Sequence, residues 1–219
     1  MQPLIARHVL KFITRFPMTK FTDVATSKLF VGVLAPTNAI ENEILVLADR
    51  LESEIGTIDQ YWPIEKGWIA PDSYMLETGE DLNTVIFVFN GLWHPQNLAY
   101  AKGKTMKIED VFSGLDGSRK FNLNPGMIDN VSMRLASHKF APRRYQISKD
   151  VWVEDQMRWI GNKLEPFPYV FQEYLMGKRY SFLKNLSEVT PTPTNIIQVG
   201  TKAVPGFTNC PIGYAENEC

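Results

Sequence analysis

Apolar positions along the chain fall into two kinds of run, and their spacing sets the first expectations. Lys28-Leu-Phe-Val-Gly-Val-Leu34 is almost uninterrupted and predicts a buried strand ended by Ala35-Pro36. Behind it, Ile40, Ile44, Leu47, Leu51 and Ile55 recur at helical spacing. Asn38 followed by Glu41 forms a capping-box arrangement at the start of that helix, and Gly56 supplies a stop. Thr57 to Lys66 reads as extended. Asn83 to Asn90, with Val85-Ile-Phe-Val-Phe89 unbroken, predicts a second buried strand covered on both faces.

The pattern continues with a helix opened near Pro95, whose inner face is Leu98, Ala101, Thr105, Ile108 and Phe112. A short strand over Arg119–Leu123 comes next. Asn124-Pro125-Gly126 then reads as a turn into a helix from Met127 to Ser137. Arg143–Ile147, Val151–Ile160 and Lys163–Phe167 read as strands, with Gly161-Asn162 as a hairpin turn. This order predicts an α/β (α+β) fold, a mixed sheet with helices packed on it in one compact domain over residues 27–182. Residues 1–26 form a cationic extension, and residues 183–219, rich in proline and glycine, form an irregular tail with an edge strand near Ile196–Val199.

Composition alters this outline in three places. The 219 residues carry a net charge of -1, which argues against a chain that coats nucleic acid throughout. That charge is unevenly spread: Thr37–Leu82 holds eleven acidic residues against two basic, and Leu98–Lys149 holds ten basic against four acidic. The split suggests either a dipolar, anion-attracting surface or helices whose solvent faces differ in sign. The first 20 residues hold Arg7, Lys11, Arg15 and Lys20 and no acid, with Ile5, Val9, Phe12 and Phe16 on one helical face. They suit a membrane-surface or organelle-targeting helix, or one docked on the protein itself, and Met18 offers another start. No run approaches the roughly 18 apolar residues of a spanning helix, and a cytoplasmic protein is the default expectation. Cys210 and Cys219 are too few for a zinc site or a disulfide framework.

Five short motifs occur in an order that resembles a family of prokaryotic proteins known as a domain of unknown function. They are Lys28–Leu34 with its helix, Asn122-Leu-Asn-Pro-Gly126, Arg143-Arg144, Val151-Trp-Val-Glu154 and Pro166-Phe-Pro-Tyr-Val-Phe-Gln-Glu-Tyr174. The likeness spans about Lys28 to Tyr174. The family has His where this chain has Arg143, and Asp where it has Glu173. Loss of that histidine weakens any acid–base or metal role for the position. The resemblance implies domain limits and marks positions, and it brings no activity.

Candidate chemistry therefore rests on polar clusters. At the Asn122, Asn124 and Gly126 segment, a helix opening at Met127 would present free N–H groups to an anion. Arg143 and Arg144 offer forked donors for carboxylate or phosphate, one to each face of a strand. Glu154, on the same strand face as Trp152, is either a base or an arginine partner, and Tyr174 joins the ligand set. Trp152, Trp159, Phe167, Tyr169, Phe171 and Tyr174 among Arg143, Arg144 and Arg158 suit core packing first, and a single-stranded nucleic acid platform second. No P-loop, GxSxG elbow, GxGxxG fingerprint or His/Cys metal cluster occurs, so no transition-metal site is expected; a carboxylate magnesium site that needs bound phosphates stays open, and the sequence assigns no cofactor. The leading expectation is a protein, enzyme or not, that holds a small anionic or nucleotide-like ligand. A non-enzymatic RNA- or protein-binding module on the basic 98–149 face is the alternative, and a scaffold anchored by residues 1–17 is the third.

Overall fold

The two unbroken apolar runs lie side by side at the centre of the sheet. In the computed structural model, which describes residues 27–68, 81–114, 117–175, 177–188 and 196–197, β1 (Lys28–Pro36) pairs antiparallel with β3 (Leu82–Phe89), from Phe30↔Val88 to Pro36↔Leu82. Its other edge pairs with β5 (Asn122–Ile128), from Lys28↔Ile128 to Leu34↔Asn122. The remaining strands are β2 (Ile58–Trp68), β4 (Leu92–Trp93), β6 (Ser132–Ser137), β7 (Tyr145–Ser148), β8 (Val151–Ile160), β9 (Lys163–Pro166) and β10 (Ile196–Ile197). The helices are α1 (Thr37–Glu54), α2 (Asn97–Val111) and α3 (Arg179–Ser187), with a 3₁₀ turn at Gln172–Tyr174.

The large sheet has eight strands in the order β2-β3-β1-β5-β6-β8-β7, with β9 also on β8. All its ladders are antiparallel, and β10 pairs with β4 in parallel in a separate two-stranded sheet. The expected alternation of strand and helix is present, yet adjacent strands run in opposite directions. Each crossover leaves room for one strand. Helix α1 joins β1 to β2 with β3 between them, and α2 lies between β3 and β5, which flank β1.

Both faces of the sheet are covered where β1 and β3 lie, which explains why these strands show no polar alternation. Under α1 and α2 lie Leu29, Val31, Val33, Val85, Phe87, Phe89, Leu123 and Val153. Under the 3₁₀ turn and α3 lie Phe30, Ile86, Val88, Met133, Leu135 and Met157, with Tyr174 of the turn packed among them. The charge asymmetry of the sequence serves to join α1 to the α2 side: Glu54 pairs with Lys104 at 2.8 Å, and Glu43 with Lys120 at 2.8 Å.

Three local expectations need correction. Helix α1 begins at Thr37, and the Asn38–Glu41 capping box gives way to a tie to Asp81. Thr37 N–H donates to the Asp81 carbonyl at 3.1 Å, and its hydroxyl to the Asp81 carboxylate at 2.8 Å. Met127–Ser137 is not helical; it contains the end of β5 and all of β6, joined at Asp129, whose Oδ1 accepts the N–H groups of Val131 and Ser132 at 2.9 Å each. Asn124-Pro125-Gly126 is the middle of β5 and no turn. The proline is tolerated because of which edge it faces. The Leu123 N–H points away from β1 to Glu109, so the Pro125 nitrogen, two residues on, faces the same way. On that side the β6 ladder starts only at Gly126↔Leu135.

Residues 1–26 and 198–219 lie outside the described residues, and with them the amphipathic extension, Met18, Cys210 and Cys219. Among the described residues no helix is long and apolar enough to cross a membrane.

Candidate functional site

Arg143 and Arg144 precede β7 in a turn closed by Arg144 N–H to the Ala141 carbonyl at 2.9 Å. Because they lie on a turn, both side chains converge on one carboxylate, where a strand would have sent them to opposite faces. Glu154 accepts from Arg143 Nε on one oxygen, and from Arg144 Nε at 3.1 Å on the other. Arg144 also donates to Ser137 Oγ at 2.8 Å and to the Lys139 carbonyl at 2.7 Å. The Glu154 side chain is 2% exposed, so this carboxylate, the sequence candidate for catalysis, is closed off by its own partners. Removing a buried carboxylate's partner is costly, so the trio locks the β6–β8–β7 corner.

Arg143 also lies over the Tyr169 ring at 4.8 Å, Tyr169 stacks on Phe167 at 5.4 Å, and Arg158 lies over Phe167 at 5.1 Å. Each of these two rings therefore has one face against the other ring and one against a guanidinium. A base-stacking platform needs open ring faces. Most of the basic 98–149 residues are also engaged: Lys102 is buried, and Lys104, Lys120, Arg134, Arg143 and Arg144 are ion-paired.

Asn122, Asn124 and Gly126 sit within strand β5, and no helix opens at Met127. Gly126 is where Phe30, Leu135 and the Arg134 backbone close in: a Cβ there would fall within 2.3 to 2.8 Å of them. Asn124 faces the 3₁₀-turn side opposite Gly32, and with Tyr174 it lines a cavity of about 10 Å³ shared with Thr84, Glu173 and Arg179. Thus two of the residues singled out in the sequence share a cavity, and the arginine–glutamate trio forms a separate cluster.

A second concavity lies on the other face of the sheet, at residues that carried little signal in the sequence. Two helices of about 10 Å diameter cover about four strands spaced 4.8 Å apart, so eight strands leave part of a face bare. Beyond α2 that bare part becomes a groove of about 350 Å³, floored by Arg134, Tyr145, Ile147 and Val153 and walled by Pro95 to Tyr100. Its lining is mainly apolar with a few polar groups. The Asn97 Nδ2 is buried without a hydrogen-bond partner. Burial, with the Asp155 carboxylate adding to it, pushes the Tyr145 phenol above its ordinary pKa, so it remains a neutral donor. Arg134 uses Nη2 toward Asp129 at 3.3 Å and holds Nε 4.0 Å from Asp155. His94 does not reach in as a free base: its Nδ1 accepts the Gln96 N–H at 3.2 Å. Alternation of Tyr145, Ile147 and Val153 was the available sequence signal, but only the register Tyr145↔Val153 places them together.

On the buried side of α2, Lys102 Nζ donates to the Leu123 carbonyl at 3.0 Å and Glu109 Oε1 accepts the Leu123 N–H at 2.6 Å. These two side chains close the stretch of β5 edge that β6 does not reach. Burial pushes the Lys102 pKa down and the Glu109 pKa up. Among the described residues no group of three or more His, Cys, Asp or Glu side chains is placed to hold a metal ion.

The chain belongs to the family described as Domain of unknown function (DUF4416), which matches residues 25–189. No curated protein and no solved structure matches it.

Proposed function

We propose that the protein binds a small amphipathic anion, no larger than a nucleotide, in the groove between the start of α2 and strands β6, β8 and β7. The observation that carries this reading is the union of an apolar space of about 350 Å³ with a buried, unpartnered Asn97 amide nitrogen. Ligand pockets are about 300–1,000 Å³, largely apolar, with a few directed polar groups. Leu98, Ile147 and Val153 would hold a ring or short aliphatic body. Asn97 Nδ2, the Tyr145 hydroxyl and the Arg134 guanidinium would meet its acidic group. The reading is limited to binding: the described residues that line the groove include no carboxylate, thiol or imidazole. This keeps the ligand class expected from the sequence and moves it to different residues.

The test uses 8-anilinonaphthalene-1-sulfonate, an aromatic body with one anionic group, titrated by fluorescence. One saturable site is expected, weakened tenfold or more by Ile147→Asp and by Tyr145→Ala. Equal binding by wild type and both variants would overturn the assignment. A steep loss of RNA binding with salt, unaffected by either variant, would favour the nucleic acid reading instead.

A further inference from the structure

The cavity beneath the 3₁₀ turn is formed by an absent side chain. Gly32 sits in the middle of β1, facing this layer, and a Cβ there would lie 2.6 Å from the Tyr174 hydroxyl. Around the opening stand Thr84 from β3, Asn124 from β5, Glu173 and Tyr174 from the turn and Arg179 from α3. Arg179 is fully buried; it donates to the Glu173 carbonyl at 2.9 Å and to the Thr84 carbonyl at 3.5 Å, tying turn, helix and sheet together. Thr84 and Glu173 are 3% and 7% exposed, and Thr84 Oγ1 and Glu173 Oε2 have no hydrogen-bond partner within the protein.

Two buried oxygens without partners, from residues that line one small space, need an occupant, since leaving such groups unsatisfied is costly. The size of that space, about 10 Å³, is that of one water molecule. A water donates two hydrogen bonds and accepts two, so one molecule can serve both oxygens. A small cation suits it less, because the Arg179 guanidinium already lines the wall.

We propose that this cavity is a built site for a single internal water bridging Glu173 Oε2 to Thr84 Oγ1, and that the water is the relay by which Glu173 gains or loses its proton. The charged and titratable groups around it are few. Arg179 faces Glu173 from α3 and Tyr174 stands beside it, while β1, β3 and β5 contribute the uncharged Gly32, Thr84 and Asn124. Burial raises the Glu173 carboxyl to about 7 against the opposing pull of Arg179, so the proton is exchangeable near neutrality. The site does not depend on the groove on the other face, and either reading survives the failure of the other.

The experiment is a carbon-detected NMR titration of the full chain with the Glu173 carboxyl assigned through Glu173→Gln. The wild type is expected to titrate near 7 and to show a long-lived water contact to the Thr84 methyl. Thr84→Val keeps the shape and deletes the bridge, and should raise the Glu173 midpoint by about one unit. Thr84→Ser keeps the hydroxyl and should leave the midpoint in place. A Glu173 midpoint in the ordinary carboxylate range, no water contact, or the same midpoint in wild type and Thr84→Val would each overturn the proposal. If Thr84→Val does not fold, the water contact and the wild-type midpoint still decide it.

Discussion

Gly126 shows how a single residue can be read correctly in type and wrongly in purpose. A glycine after Asn-Pro suggests a tight turn, where freedom of φ is the asset. In the fold it sits on a strand, where its value is the space it leaves for the Phe30 ring, Leu135 and the Arg134 carbonyl. Gly126→Ala gains about 0.4–1 kcal/mol by restricting the unfolded chain, and loses about 1–3 kcal/mol to overpacking. The Arg134 carbonyl, 2.8 Å from the new methyl, is backbone and cannot swing aside, so the loss wins. A net destabilisation of about 1–2 kcal/mol is expected, read as a lower urea midpoint at unchanged slope. Glu154 and its two arginines were visible in the sequence as a cluster of chemistry-bearing types. Their mutual satisfaction was not, because it depends on a turn at Ala141–Arg144 that brings both guanidinium groups to one side.

At the scale of elements, the sequence revealed β1, α1, β3, α2, β8 and the Gly161 hairpin, where apolar runs were long or turn chemistry strong. It misread residues 127–137 because Ile128, Val131 and Leu135 satisfy helical spacing while Val131, Met133 and Leu135 satisfy alternation. The Asp129-Asn130 turn decided the matter for two strands, a signal too local to weigh against the apolar count. The groove was beyond reach for another reason: it exists where helices fail to cover strands, and coverage is a property of the assembled layers. The closure of the β5 edge by Lys102 and Glu109 belongs to this scale too. Lys102→Met or Glu109→Leu alone unpairs one Leu123 backbone group and also removes the nearby opposite charge that eases burial of the other side chain. Each should therefore cost more than the unpaired backbone group by itself, which costs about 1–3 kcal/mol. The double variant leaves only the Leu123 N–H and carbonyl unpaired, at about 1–3 kcal/mol each. A double-mutant cycle by chemical denaturation should therefore return a coupling of at least about 1 kcal/mol, and additive losses would contradict the edge-closing role.

For the molecule as a whole, Glu173 links stability to pH with a definite sign. Its folded pKa, about 7, lies above the unfolded value of about 4.3, so its contribution is full below the unfolded value. As pH rises toward 7 the unfolded chain releases the proton first, and that contribution is lost, by about 3–4 kcal/mol in all. The stability difference between wild type and Glu173→Gln, followed by thermal or urea unfolding, should fall across pH 4.3 to 7 and level off above; a flat difference would contradict it. The central position of β1 carries a different consequence, for the order in which the chain assembles. Its neighbours on both sides come late: Val33 meets Val85, 52 residues onward, and Leu123, 90 residues onward. At about 5–20 residues per second, the first partner leaves the ribosome about 3–10 s after β1 does. For that interval an almost wholly apolar strand has two open edges, so folding of this domain depends on whatever shields a nascent chain.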